Sequence, residues 1–258
     1  MPFADAAGTR IYYETHGAKP GSAQAIVFAH GAGGNHLSWW QQVPHFRDRY
    51  TCVVFDHRGF GQSVDAVDGP GGAAFVDDLR ALLDHLDIER ATLVAQSMGG
   101  WTCLNFGLQY PARVERLMMC DTHGGMQSPE IDAIWREAMR NRAEPGLVHP
   151  AAGERMYREQ PALHFLYQEI AALNPQRPLA ETLRGLPAPT VDDVAALRVP
   201  TLFIAGEEDV VIAPRLVEIA ASHVPDARFE RVQEAGHSVY FERPAVFNSI
   251  LESFLAAS

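Results

Sequence analysis

Lysine is almost missing from this chain. Lys19 is the only one; Lys+Arg total 21 against 32 Asp+Glu, a formal net charge of −11. No run of basic residues occurs, so the counterion release that drives binding to phosphate backbones has little to act through, and nucleic acid is excluded as the main partner. Cysteine is scarce too. Cys52, Cys103 and Cys120 cannot all pair with one another, form no C-x-x-C, and each stands in an apolar stretch. Buried free thiols in a reducing compartment are expected. No apolar run reaches the ~18 residues of a membrane span. Residues 1–14 have neither the basic nor the apolar region of a secretory leader. A cytoplasmic location without membrane attachment is expected. No H-x-H or H-E-x-x-H cluster speaks for zinc, and no G-x-G-x-x-G or Walker loop speaks for a nucleotide, so neither metal nor cofactor is expected. Gly69-Pro70-Gly71-Gly72 follows an acidic loop rather than a strand and reads as a turn.

What is present suits one large core. The 258 residues are 47% hydrophobic and 21% charged, ordinary globular usage. Five short runs are apolar throughout: Ala25–Ala29, Cys52–Phe55, Thr92–Ala95, Leu117–Cys120 and Thr201–Ala205. Strands of a parallel sheet covered on both faces require that pattern. Arg10–Glu14 and Arg228–Gln233 alternate, as edge or half-exposed strands do. Between the runs lie helical faces: Phe75, Leu79, Leu82, Leu83 and Leu86 in one, and Val246, Phe247, Ile250, Leu251, Phe254 and Leu255 in another, with Pro244 in its first turn. Strand and helix alternating in this way predict an α/β fold with a mostly parallel sheet.

From Thr122 to Leu197 the alternation stops. Helical patterns such as Ile131, Ile134, Trp135, Ala138 and Met139 are punctuated by prolines, and Ser128-Pro129-Glu130 is a helix start. An insertion of roughly 70 residues far exceeds an ordinary βα connection. The sequence thus predicts a core of residues 1–121 and 198–258 with a helical cap, or lid, over 122–197.

Chemistry concentrates at the ends of the apolar runs. Thr92–Gly100 carries a strand into Gln96-Ser97-Met98-Gly99-Gly100 and then into a helix. A serine at such a turn must adopt strained angles to push its hydroxyl outward, and small residues two before and two after it, Ala95 and Gly99, prevent clashes. The helix behind it aims its N-terminal amides at the site. Earlier, the Ala25–Ala29 run ends in His30-Gly31-Ala32-Gly33-Gly34, a glycine-dense loop whose amides can approach a ligand. The amides of Ala32 and Met98 are the expected oxyanion hole, and His30 is read as a brace for its loop. Thr201–Ala205 leads into Gly206-Glu207-Glu208-Asp209, and a carboxylate just past a strand end can reach an imidazole at the same sheet edge. Asp209 is preferred over Glu207 and Glu208, which read as solvated charges. Asp121, at the end of Leu117–Cys120, is its competitor. Among eleven histidines His237 alone follows a glycine at a late strand end, giving the order Ser97, Asp209, His237.

These pieces together resemble an enzyme of the α/β-hydrolase fold, with a mostly parallel central sheet flanked by helices, over nearly the whole chain. Asp56-His57-Arg58-Gly59-Phe60-Gly61-Gln62-Ser63 adds to the resemblance; its role in such enzymes is mainly structural, and Arg58 is as well suited to an internal salt bridge as to a ligand. Alanine at 95, where the G-x-S-x-G pattern has glycine, is the one departure at the elbow. The resemblance implies a Ser97–His237–Asp209 triad that hydrolyses a carboxylic ester through an acyl-serine. A small or medium, mostly apolar molecule is the expected substrate and the only expected partner; a homo-oligomer is compatible with the sequence. Trp135, Met139, Tyr157 and Phe165, with Met156 and Tyr167, are candidates to line the cleft under the cap, and Trp39 and Trp40 either flank its entrance or pack. Competing readings are a lactonase or thioesterase, a C–C bond hydrolase acting on ring-cleavage products, a ligand-sensing receptor on a hydrolase scaffold, and a cofactor-free oxidoreductase. Ser238 stands where the C–C hydrolases often carry an indole, which ranks them second.

Overall fold

The structure is a computed structural model and describes residues 2–6, 8–141 and 150–257. Eight strands form one sheet: β1 (Phe3–Ala6), β2 (Thr9–Gly17), β3 (Ala25–Ala29), β4 (Thr51–Phe55), β5 (Ala91–Gln96), β6 (Val114–Cys120), β7 (Thr201–Gly206) and β8 (Arg228–Val232). Their order is β1-β2-β4-β3-β5-β6-β7-β8. The β1–β2 and β2–β4 pairs are antiparallel and all the others parallel. All five apolar runs are central strands, as predicted. Arg10–Glu14 lies in β2, half-exposed but not at the edge, because β1 covers it.

Strand periodicity explains why the runs are apolar at every position. Val27 and Ala29 of β3 face one core and Ile26 and Phe28 the other; Leu93 and Ala95 of β5 are likewise opposed to Val94. On the first face pack α2 (Phe75–His85) and α3 (Met98–Gln109), through Leu79, Leu82, Leu83, Leu104 and Phe106. On the second lies the C-terminal helix Pro244–Ala256, through Phe247, Leu251, Phe254 and Leu255, joined by Trp39 and Phe46. Each such side chain contributes about 1.5–3 kcal/mol by leaving water. Val246, counted into that helix's apolar face from its spacing, is 44% exposed. Trp39 is buried against Phe28 and Tyr240, so of the two options for it the structure shows packing.

The segment between β6 and β7 carries helices: α4 (Pro129–Asn141), α5 (Glu154–Glu159), α6 (Pro161–Ala172), α7 (Leu179–Thr182) and α8 (Val191–Val194). Ser128 Oγ accepts from the Ile131 N–H at 3.1 Å, the helix start its sequence predicts, worth about 0.5–2 kcal/mol. The segment is rooted on both sides of the sheet: Ile131, Val194 and Leu197 join the first core, Ala152, Met156 and Ile170 the second.

The candidate active site

Ser97 stands between the end of β5 and the start of α3 with φ 48° and ψ −117°, a conformation that costs about 1–3 kcal/mol. Its own N–H donates to the Cys120 carbonyl at 3.0 Å, pinning the turn to β6. A Cβ at Gly99 would sit 2.3 Å from the Ala29 carbonyl oxygen, so the first turn of α3 can press onto β3 only with glycine there. Ala95 lies fully buried in the core, so its methyl group is accommodated and the departure from glycine leaves the elbow intact.

The three side chains singled out from the sequence meet. His237 Nε2 is 2.9 Å from Ser97 Oγ, and His237 Nδ1 is 2.8 Å from Asp209 Oδ2. The carboxylate accepts a hydrogen bond from Nδ1–H, which leaves Nε2 free to accept one from the serine hydroxyl. The other Asp209 oxygen accepts the N–H groups of Val211 (2.7 Å) and Ile212 (3.0 Å), which hold the carboxylate in place. Asp209 and His237 are 5% and 3% exposed, so the relay is shielded from water. Asp121 bonds elsewhere: its oxygens accept from the Gly206 N–H (2.9 Å), the Val239 N–H (3.2 Å) and the Cys120 thiol. Burial, reinforced by the nearby Asp209, pushes its pKa up to about 7. It is a buried brace between β7 and the His237 loop.

Ala32 lies in a turn closed by the Gly34 N–H donating to the Gly31 carbonyl at 3.0 Å, and it packs in a small cluster with Met98, Phe60 and Phe75. Met98 opens α3, where the first N–H groups have no intrahelical acceptor. Among the described residues neither the Ala32 nor the Met98 N–H finds an acceptor. His30 braces its loop. Its Nε2 accepts from the His57 N–H at 2.9 Å and its Nδ1 donates to the Gly31 carbonyl at 2.8 Å. Burial lowers its pKa to about 4, so the ring is neutral. Arg58 is an internal salt-bridge partner: 1% exposed, it grips both Asp78 oxygens at 2.9 and 2.6 Å and reaches Asp65 at 3.3 Å.

The residues proposed to line the cleft separate. Trp135 stacks on His123, which packs edge-on against Trp101. Tyr157 and Phe165 are 44% and 62% exposed and face solvent instead of an enclosed cleft. On their helices Met156, Leu163, Tyr167 and Ile170 make the core contacts instead, a distinction spacing alone did not make. The Met139 side chain lies outside the described residues. Tyr167 does approach the site: its ring packs on Phe241 and its hydroxyl is 3.4 Å from Ser238 Oγ. Two residues given no role in the sequence reading stand beside Ser97 and His237. Gln96 donates from Nε2 to the His237 carbonyl, and Glu242 accepts from the amides on either side of His237. The G-H-S-x-x-x-E spacing of residues 236–242 was the available signal for the second. Among the described residues no group of three His, Cys, Asp or Glu side chains is placed to hold a metal ion.

Comparison with known proteins agrees with this architecture. The model of the alpha/beta hydrolase fold family matches residues 24–152. A 3-oxoadipate enol-lactonase of Acinetobacter baylyi is 30% identical over 250 residues, covering 92% of this chain and 90% of its own. Among solved structures, an enol-lactonase from Burkholderia xenovorans superposes with a TM-score of 0.82 at 26% identity, covering 99% of this chain and 100% of its own. A thermophilic esterase from Thermogutta terrifontis follows with a TM-score of 0.78 at 26% identity, covering 98% and 97%. On the match of that model and of relatives along almost their entire length, the chain belongs to the α/β-hydrolase fold family and is a hydrolase.

Proposed function

We propose that the protein is a serine carboxylesterase that cleaves an ester of a small or medium, mostly apolar molecule through an acyl-serine, with residues 122–197 acting as a lid. One observation carries the reading: the hydrogen-bonded line from Asp209 through His237 to Ser97, at 2.8 and 2.9 Å. In this mechanism His237 Nε2 takes the hydroxyl proton as Ser97 Oγ attacks the acyl carbonyl, and Asp209 stabilises the imidazolium. The Ala32 and Met98 amides receive the oxyanion; one such donor is worth about 2.7–4 kcal/mol. His237 returns the proton to the leaving alcohol and then activates the water that frees the acid. The three buried free thiols suit a reducing cytoplasm.

A second reading shares this machinery. A lactone is a cyclic ester, and the 30% identical relative is an enol-lactonase. Opening the ring by the same steps leaves alcohol and acid in one product. The test is a panel of p-nitrophenyl acetate and butyrate, simple γ-lactones and thioesters, followed by acid release at constant pH with the wild-type chain and Ser97→Ala. The reading expects turnover of open-chain esters that falls by about 10⁴–10⁶ in the variant while its melting curve is retained. Faster turnover of lactones than of any ester selects the second reading. Near wild-type rates in Ser97→Ala end both.

A further inference from the structure

Glu242 closes the short helix α10 (Val239–Glu242) directly after the His237 loop, and its carboxylate turns back toward that loop. Oε2 accepts from the Gly236 N–H at 2.9 Å and Oε1 from the Ser238 N–H at 3.0 Å. These are the two amides that flank His237. The side chain is 3% exposed, and among the described residues no cation pairs with it. The insertion closes over it from the other side. A Cβ at Gly153, whose φ is +67°, would stand 2.4 Å from Oε2, and Ser238 Oγ donates to the Ala151 carbonyl at 2.6 Å. A buried carboxylate without a counter-charge is costly, and here its satisfaction comes from the backbone of the loop that carries the imidazole.

Resting on the reading of His237 as general base, we propose that Glu242 is a positioning residue: its ionised carboxylate clamps the backbone on both sides of His237 and so holds Nε2 on the Ser97 hydroxyl. A single carboxylate bonded to the amides of residues 236 and 238 ties the backbone on both sides of the intervening residue to one group. A neutral carboxyl group presents an O–H to one of the two N–H donors and loses that bond. The charges around it favour this switch. Asp121 at the end of β6 and Asp209 after β7 both disfavour its ionised form, Tyr167 faces it from α6, and Arg155 on α5 is turned outward to Glu208. With burial as the largest cause, its pKa is raised to about 7, and the two amides oppose the rise. The clamp is therefore ionised at alkaline pH and released as the pH falls through about 7.

The experiment compares the wild-type chain, Glu242→Gln, Glu242→Asp and Ser97→Ala from about pH 5 to 9. Three readouts are taken: p-nitrophenyl butyrate hydrolysis, the rate of Ser97 labelling by a fluorophosphonate, and thermal melting. In the wild type the acid limb of log kcat/KM should steepen toward a slope of about 2, since two protons disable the site. Glu242→Gln should reduce that slope to about 1 and lower kcat and the labelling rate about 10–100-fold with little change in KM. Glu242→Asp, which keeps the charge, should recover part of the loss. An acid limb with a slope of about 1 in the wild type overturns the proposal, even where the glutamine variant does not fold. Wild-type kcat and labelling rate in Glu242→Gln overturn it as well. Fluorophosphonate labelling that persists in Ser97→Ala, or that is absent from the wild type, defeats instead the reading of Ser97 on which the proposal rests.

Discussion

Gln96 Nε2 donates a hydrogen bond of 2.8 Å to the carbonyl oxygen of His237. Gln96 ends β5 and is bonded through the chain to Ser97, so the residue beside the hydroxyl also holds the backbone of the imidazole that faces it. Ser97 and His237 lie 140 residues apart in the sequence, and this bond ties their two segments together. Gln96→Leu keeps the volume and removes the donor, leaving a buried carbonyl unsatisfied. The expected cost is about 1–3 kcal/mol in a denaturant melt. A drop in kcat of roughly tenfold or more should accompany it, from misplacement of the base. Wild-type kcat in a folded variant would show that the elbow and the His237 loop find their register without this bond.

The two acids near His237 should separate cleanly on substitution. Asp209→Asn presents an amide to Nδ1, favours the wrong tautomer, and should lower kcat by about 10⁴. Asp121→Asn places an N–H₂ against the amide of Gly206 or Val239, since both aspartate oxygens accept there. Its main effect should be a stability loss of about 1–3 kcal/mol, with a far smaller loss of rate. Steady-state kinetics and melting curves on both variants decide it, and a larger rate loss in Asp121→Asn would transfer the role of acid to the end of β6.

Histidines buried in the neutral form make the fold sensitive to acid. Burial lowers His30 and His123 to about 4 and takes His57 well below its usual value. As pH falls from about 6.5 toward 4, the unfolded chain takes up a proton at each of these rings that the folded chain refuses, so stability decreases. His123 packs between Trp101 and Trp135 with its Nδ1 unpaired. His123→Phe should keep those ring contacts while flattening the pH dependence of the melting temperature below about pH 6.5, with hydrolytic rates unchanged. An identical pH dependence in variant and wild type would mean that His123 titrates in the folded protein.

Arg58 supports the fold by filling a buried charge pair. Truncation to alanine leaves Asp78, 3% exposed, without its bidentate partner, and such a break costs about 3–5 kcal/mol. The Arg58→Ala variant should therefore unfold at markedly lower denaturant, and what remains folded should turn over substrate normally. A selective rise in KM with unchanged stability would instead place Arg58 in substrate binding.

Legibility in the sequence followed the range of each signal. The parallel strands announced themselves because a strand covered on both faces must be apolar at each position. β1, only four residues and partly exposed, carries no such pattern, and without it Arg10–Glu14 read as either an edge or a half-exposed strand. Ser97, Asp209 and His237 were legible because each lies within about three residues of a glycine shortly past a strand end. Gln96 and Glu242 were not: one is a polar residue closing a strand, the other one acid among many. The fate of Trp135, Tyr157 and Phe165 depended on which side of each helix the sheet occupies, and helical spacing is silent on that.

Amphipathic pattern and turn chemistry alone therefore determined the layered architecture, the strained serine turn and the candidates for the site, since these arise from local backbone sterics and from apolar surface that must leave water. Which of Asp209 and Asp121 hydrogen-bonds to His237, and the bracing of the imidazole's backbone, were decided only by the folded chain. Both depend on hydrogen bonds of about 3 Å between segments far apart in sequence or folded back on themselves, and such directional bonds exist only once the strands have brought their ends to one edge of the sheet.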